Sequence, residues 1–297
     1  MYKYILSFVA IIITLAIVIR CNRSNEEELY ETVIVDGISS SGLNEMQEND
    51  VIAESVSDEA EDDLILADSS RLELPRLMMA KPEQILFRLS YTVSYNNVTK
   101  NANWVAWHLL SKNTDGPWTR DGVPYKVDYE VNGAKQELED WDDLTLPLDH
   151  GHLCPAGDNK WSEEAMEQSF LLTNMCPQNS RLNRGAWERL EDRCRGWARH
   201  YGGVYIVAGP IFYGEEYTTI GRNEIGVPDA FYKVVLCLNK KAKALGFIFP
   251  NEDVSGKFSR YVTTVDEVES LTNIDFFHLL PDNIEEKVES VSNINSW

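Results

Sequence analysis

The chain has 297 residues, 43% hydrophobic and 25% charged, a globular mixture that excludes wholesale disorder. Its 27 basic and 48 acidic residues give a formal charge of -21, which excludes binding of nucleic acid by bulk positive charge. The acidity is uneven: residues 24–70 hold 15 Asp or Glu and no Lys or Arg, which leaves -9 for residues 71–297.

The first element is apolar. Lys3 precedes an uncharged run from Tyr4 to Ile19, closed by Arg20, Cys21 and Arg23. Sixteen helical residues rise about 24 Å, short of the roughly 30 Å hydrocarbon core. Residues 1–23 therefore read as a secretory signal or a short membrane anchor, with the membrane as a partner and an exported protein as the outcome. Cys21 stands where a bacterial lipoprotein carries its acylated cysteine, although Arg20 replaces the usual small residue before it. Residues 24–80 read as an acidic flexible linker, because like charges repel and neither Trp nor Phe occurs there to supply a core.

From residue 81 the texture changes. All eight Trp lie at or beyond Trp104, and every Phe except Phe8 lies at or beyond Phe87. Strand-like runs occupy Phe87–Tyr95, Trp104–Leu110, Gly203–Ala208, Phe231–Leu238 and Ala244–Phe249. Helical patterns fit Ser162–Gln168, Arg184–Arg199 and Val265–Leu271, the last after Thr264 as N-cap. Strands and helices alternate without a βαβ rhythm, so the fold class is α+β, a mixed and mainly antiparallel sheet with packed helices. The domain is expected over 81–282, with 283–297 as a C-terminal tail. Its cysteines, Cys154, Cys176, Cys194 and Cys237, suit either two disulfides or four unpaired core residues.

Reactive side chains concentrate between Asp149 and Arg199. The run Asp149-His150-Gly151-His152-Leu153-Cys154 would, on a strand, turn His150, His152 and Cys154 to one face. Zinc ligation, acid–base catalysis and plain hydrogen bonding beside a turn all remain open for such a face. Further on, Asn174 and Asn183 flank a proline turn leading into a helix, where Asn183 could simply cap. Glu191 follows Asn183 by just over two turns, on nearly the same face. Six arginines against three acids in residues 181–199 form a cationic island, which suits an anionic substrate or an ordinary ion-paired helix such as one with a Glu191–Arg195 pair.

Three ordered blocks resemble one family. Asp-His-Gly-His-Leu-Cys-Pro-Ala-Gly-Asp at 149–158, Thr-Asn-Met-Cys-Pro-Gln at 173–178 and Asn-Arg-Gly-Ala-Trp-Glu-Arg-Leu-Glu at 183–191 are similar to the DNA/RNA non-specific endonucleases, with their ββα-metal, or His-Me finger, site. The resemblance covers roughly residues 85–280. It implies His152 as general base, Asn183 as direct ligand of Mg2+ (Mn2+ as substitute), and Glu191 holding the ion through water. It further implies that Asn174 positions the metal or phosphate and that Arg195 offsets charge on phosphate. DNA and RNA would be substrates, cut to 5′-phosphate and 3′-hydroxyl ends. The family usually has Arg where this chain has His150, which predicts weaker transition-state stabilisation or a more acidic optimum. The alternatives carried beside this reading are a zinc hydrolase built on His150, His152 and Cys154, and a family member that binds nucleic acid without cutting it.

Overall fold

A computed structural model describes residues 71–142, 144–239, 241–254 and 256–297. The export or anchor expectation for residues 1–23, and the linker as far as residue 70, lie outside the described residues. Among the described residues no helix is long and apolar enough to cross a membrane.

The strands in chain order are β1 (Arg76–Leu77), β2 (Gln84–Phe87), β3 (Thr92–Asn96), β4 (Asn101–Leu110), β5 (Leu148–His152), β6 (Met175–Asn179) and β7 (Gly203–Ile211). Then come β8 (Thr219–Ile220), β9 (Ile225–Gly226), β10 (Ala230–Cys237), β11 (Lys243–Pro250), β12 (Val262–Thr263) and β13 (Ile274–Asp275). The helices are α1 (Glu163–Ser169), α2 (Ser180–Leu182), α3 (Glu188–Tyr201), α4 (Val265–Thr272) and α5 (Asp282–Glu289). Seven strands make one sheet in the order β12-β11-β10-β7-β4-β3-β2, every neighbouring pair antiparallel. The α+β reading holds, with the antiparallel sheet as its centre.

This sheet is buried on both faces, which is why its middle strands read as nearly continuous apolar runs instead of alternating ones. Along β10, Phe231, Val235 and Cys237 enter one core, while Ala230, Tyr232, Val234 and Leu236 enter the other. The first core is closed by α3 through Leu190, Cys194, Trp197 and Ala198, positions spaced to lie on one helical stripe. The second is closed by Val265 and Val268 of α4 and by Ile284 and Val288 of α5. The expected cap is present: the Thr264 hydroxyl accepts from Glu267 N at 3.1 Å. Helix α3 stops at Gly202, whose φ of 92° is the left-handed conformation that glycine adopts without strain.

Both expected domain edges move outward. Leu72 is buried and β1 pairs with β13, so the fold begins before residue 81. Residues 283–297 are no tail: α5 packs into the core, and the Trp297 ring lies 4.6 Å from that of Trp197. Aromatic content misplaced the first edge because residues 71–80 hold no aromatic side chain. The four cysteines of the domain are all buried and free, the unpaired alternative.

Candidate active site

Strands β5 and β6 pair antiparallel from Leu148↔Asn179 to His152↔Met175. Their close approach needs glycine at 151, where a Cβ would lie 2.5 Å from the Gln178 side chain. The Asn179 amide oxygen caps α2 by accepting from Arg181 N at 3.0 Å and Leu182 N at 3.4 Å. Asn183 is therefore not the cap. It opens a π-helical turn, Asn183–Trp187, that leads into α3, a wide turn of the kind that collects at functional sites.

One carboxylate ties strand to helix. Asp149 accepts from Asn183 Nδ2 at 2.9 Å, from Arg184 Nε and Nη2 at 2.8 and 2.7 Å, and from Ser180 Oγ at 2.9 Å. Burial works to raise its pKa, but the hydrogen bonds from Arg184, Asn183 and Ser180 outweigh it and hold the carboxyl below its ordinary value. A second tie is buried: Trp187 Nε1 donates to the His152 carbonyl at 3.2 Å.

These ties bring His152, Asn183, Glu191 and Arg195 to the wall of one cleft of about 740 Å3, with His150 and Arg120 beside them. The His152 ring meets Phe170 edge-on at 4.9 Å, and its buried Nε2 has no hydrogen-bond partner. Burial, with the nearby charges of Arg120 and His150, lowers its pKa to about 3, so the ring is neutral near pH 7. Because Asp149 takes the Asn183 NH2 group, the amide oxygen is left for the cleft. Burial raises Glu191 to about 7, against the pull of Lys233 and Arg195. A neutral amide oxygen and a buried carboxylate on one cleft wall are a donor set that fits a hard divalent ion.

Below this wall lies a buried ion pair. Arg195 Nη1 donates to Asp158 Oδ1 at 2.8 Å, and Trp107 Nε1 donates to Asp158 Oδ2 at 3.1 Å. Burial works to lower the Arg195 pKa, but Asp158 and Asp192 raise it overall, so the guanidinium stays charged. The expected Glu191–Arg195 pair is replaced by Arg195–Asp158 and Arg195–Asp192.

Two other residues differ from expectation. Asn174 is buried with its amide spent on backbone: Oδ1 accepts from Cys154 N at 2.9 Å, and Nδ2 donates to Cys154 O and Ser169 O, both at 2.8 Å. It pins the chain beyond β5 and does not line the cleft. Asn174→Ala is expected to cost about 1–3 kcal/mol of stability by orphaning these groups. The rate per folded molecule should stay near wild type, as a melting curve and an activity assay on the same preparation would show.

His150 is stacked between Tyr125 at 4.0 Å and Trp141 at 3.8 Å. Burial lowers its pKa to about 4, against the pull of Asp149. The partly protonated imidazole anticipated from sequence is thus a neutral ring near pH 7. Nor do His150, His152 and Cys154 converge as a zinc set. Cys154 is fully buried beside Asn159, and among the described residues the one convergent group of His, Cys, Asp or Glu lies elsewhere.

Sequence reasoning passed over Asp149 as the tie, Asp158 as the ion-pair partner, and Lys233. The last sits 1% exposed within β10, its Nζ 4.2 Å from the Trp187 ring centroid and 5.5 Å from that of Trp107. A charge inside an unbroken apolar strand was the available signal for it.

A strand pair ending in a histidine, joined to a helix entered through an asparagine, defines the ββα-metal nuclease fold. The matched chain in a crystal structure of the EndoG/EndoGI complex superposes with a TM-score of 0.65 over 69% of this chain and 90% of its own length, at 24% identity, a likeness of fold. Residues 76–283 match the model of the DNA/RNA non-specific endonuclease family, and the chain belongs to that family. Among its relatives are the mitochondrial nuclease EXOG of Danio rerio, 32% identical over 65% of this chain, and nuclease C1 of Cunninghamella echinulata var. echinulata, 34% identical over 66%. Human mitochondrial endonuclease G is 28% identical over 69%. The chain spans 61% of the EXOG protein, 83% of nuclease C1 and 73% of human endonuclease G.

Proposed function

We propose that this protein is a metal-dependent endonuclease that hydrolyses phosphodiester bonds of both DNA and RNA. The observation that carries the reading is the neutral, partnerless His152 Nε2 sharing a cleft with the Asn183 amide and the Glu191 carboxylate.

His152 acts as the base: Nε2 takes a proton from water as the water attacks phosphorus. Its low pKa keeps it in the accepting form throughout the neutral range. Asn183 Oδ1, as direct ligand, and the Glu191 carboxylate, through water, would hold the cation, with Asp149 fixing which end of the amide faces it. A bound Mg2+, or Mn2+ in its place, supplies neutralisation of the charge that grows on the departing 3′ oxygen. Arg195 gives the cleft floor a fixed positive charge toward phosphate, positioned by Asp158. The polynucleotide ends left are 5′-phosphate and 3′-hydroxyl. The apolar segment Tyr4–Ile19 supports an exported or membrane-tethered enzyme.

The test is incubation of the full chain with circular plasmid DNA, and separately with RNA, in Mg2+, in Mn2+ and with chelator. Degradation of both polymers only with metal is expected; retained binding without cleavage in either ion would overturn the hydrolytic reading. The same assay carries a pH prediction. Glu191 gains a proton as pH falls through about 7, losing the charge that favours the cation. The Mg2+ concentration for half-maximal rate should therefore rise roughly tenfold per pH unit below that point. An Mg2+ requirement unchanged down to about pH 5 would remove Glu191 from the metal site.

A further inference from the structure

A second group of acids lies on the other face of the sheet. Asp266 and Glu269 stand one turn apart on α4, and Glu289 ends α5. One carboxylate oxygen from each lies within 4.8 Å of the other two. Glu289 is only 4% exposed, and its Oε1 is buried with no hydrogen-bond partner. Glu269 gives one oxygen to Phe276 N at 2.7 Å. Among the described residues no Lys or Arg forms an ion pair with any of the three; the nearby Asp275 is taken by Arg76. Three clustered carboxylates, one with an unfilled buried acceptor and none ion-paired among the described residues, lack the one component that would make the arrangement favourable.

We propose that Asp266, Glu269 and Glu289 form a calcium site that fastens α5 to α4, separate from the nuclease cleft. All donors are hard oxygens, with no nitrogen or sulfur to favour zinc. Ca2+ accepts irregular shells of carboxylate oxygens, whereas Mg2+ demands a near-ideal octahedron. Waters complete the shell, as three side chains supply too few ligands for a closed cage. The same crowding shows in the free protein: burial and then the neighbouring acids raise Glu269 to about 7 and Glu289 to about 9. Filling the site gives α5, held otherwise by Ile284 and Val288, a polar fastening at its last residue.

The experiment is equilibrium dialysis of the full chain against calcium chloride, with thermal melting in parallel, for wild type, Glu289→Gln and Asp266→Asn. Asp266 is exposed, so its substitution leaves folding intact and decides the matter alone should Glu289→Gln fail to fold. Each variant is expected to bind one calcium fewer than wild type and to lose the calcium-dependent rise in Tm, with Mg2+-supported cleavage unchanged. Equal calcium stoichiometry in wild type and Asp266→Asn, none included, overturns the proposal. Failure of plasmid cleavage would not bear on this site, since the dialysis reads binding alone.

Discussion

His152→Ala is expected to lower the cleavage rate by about 10^2- to 10^4-fold while the protein stays folded. The magnitude follows from what the ring alone supplies, a proton acceptor already stripped of hydrogen-bond partners and kept neutral by burial. Everything that places the ring belongs to other groups. The strand is paired by backbone, and Trp187 holds the carbonyl of residue 152, which alanine retains. The variant should therefore still bind plasmid and melt within a few degrees of wild type. Loss of rate with loss of the melting transition would report unfolding, and a rate within tenfold of wild type would remove His152 from the chemistry.

The largest effect on stability is expected from Asp158→Asn. The change is nearly isosteric but takes the buried carboxylate from the Arg195 guanidinium, 14% exposed, and leaves it only the exposed Asp192 as an ion-pair partner. Removing one member of a buried pair costs about 3–5 kcal/mol because the other charge remains out of water. For a domain of this size that is a fall in Tm of roughly 6–20 °C. A double substitution, Asp158→Leu with Arg195→Met, should recover much of the loss, since apolar replacement of both partners avoids stranding either charge. It should also leave cleavage weak, because the fixed positive charge has gone. Equal Tm values for Asp158→Asn and wild type would show that the pair contributes nothing.

How far the sequence could be read depends on how far apart the interacting residues lie in it. The strands of the central sheet were legible because apolar runs such as Phe231–Cys237 announce burial directly. His152, Asn183 and Glu191 could be singled out together because the resemblance quoted their motifs, and all three line one cleft. Asn174 was not: an amide close to the motif looks functional until its partner, the backbone of Cys154, is brought against it by β5–β6 pairing. His150 misled for the same reason, since its character is set by Tyr125 and Trp141, which arrive from the long irregular connection ahead of β5. Asp158 could be quoted in the motif, yet its role needed Arg195 from α3 and Trp107 from β4.

The sandwich at position 150 also changes what kind of corner the cleft has there. Arginine would place a permanent cation beside a metal, two like charges competing for one anionic oxygen. A ring gripped on both faces contributes shape without ionic strength dependence, and acidification to about pH 5 leaves it unaltered. The permanent charge at that edge is thus Arg120, which lines the cleft from the connecting loop with its guanidinium over the Phe170 ring at 5.8 Å.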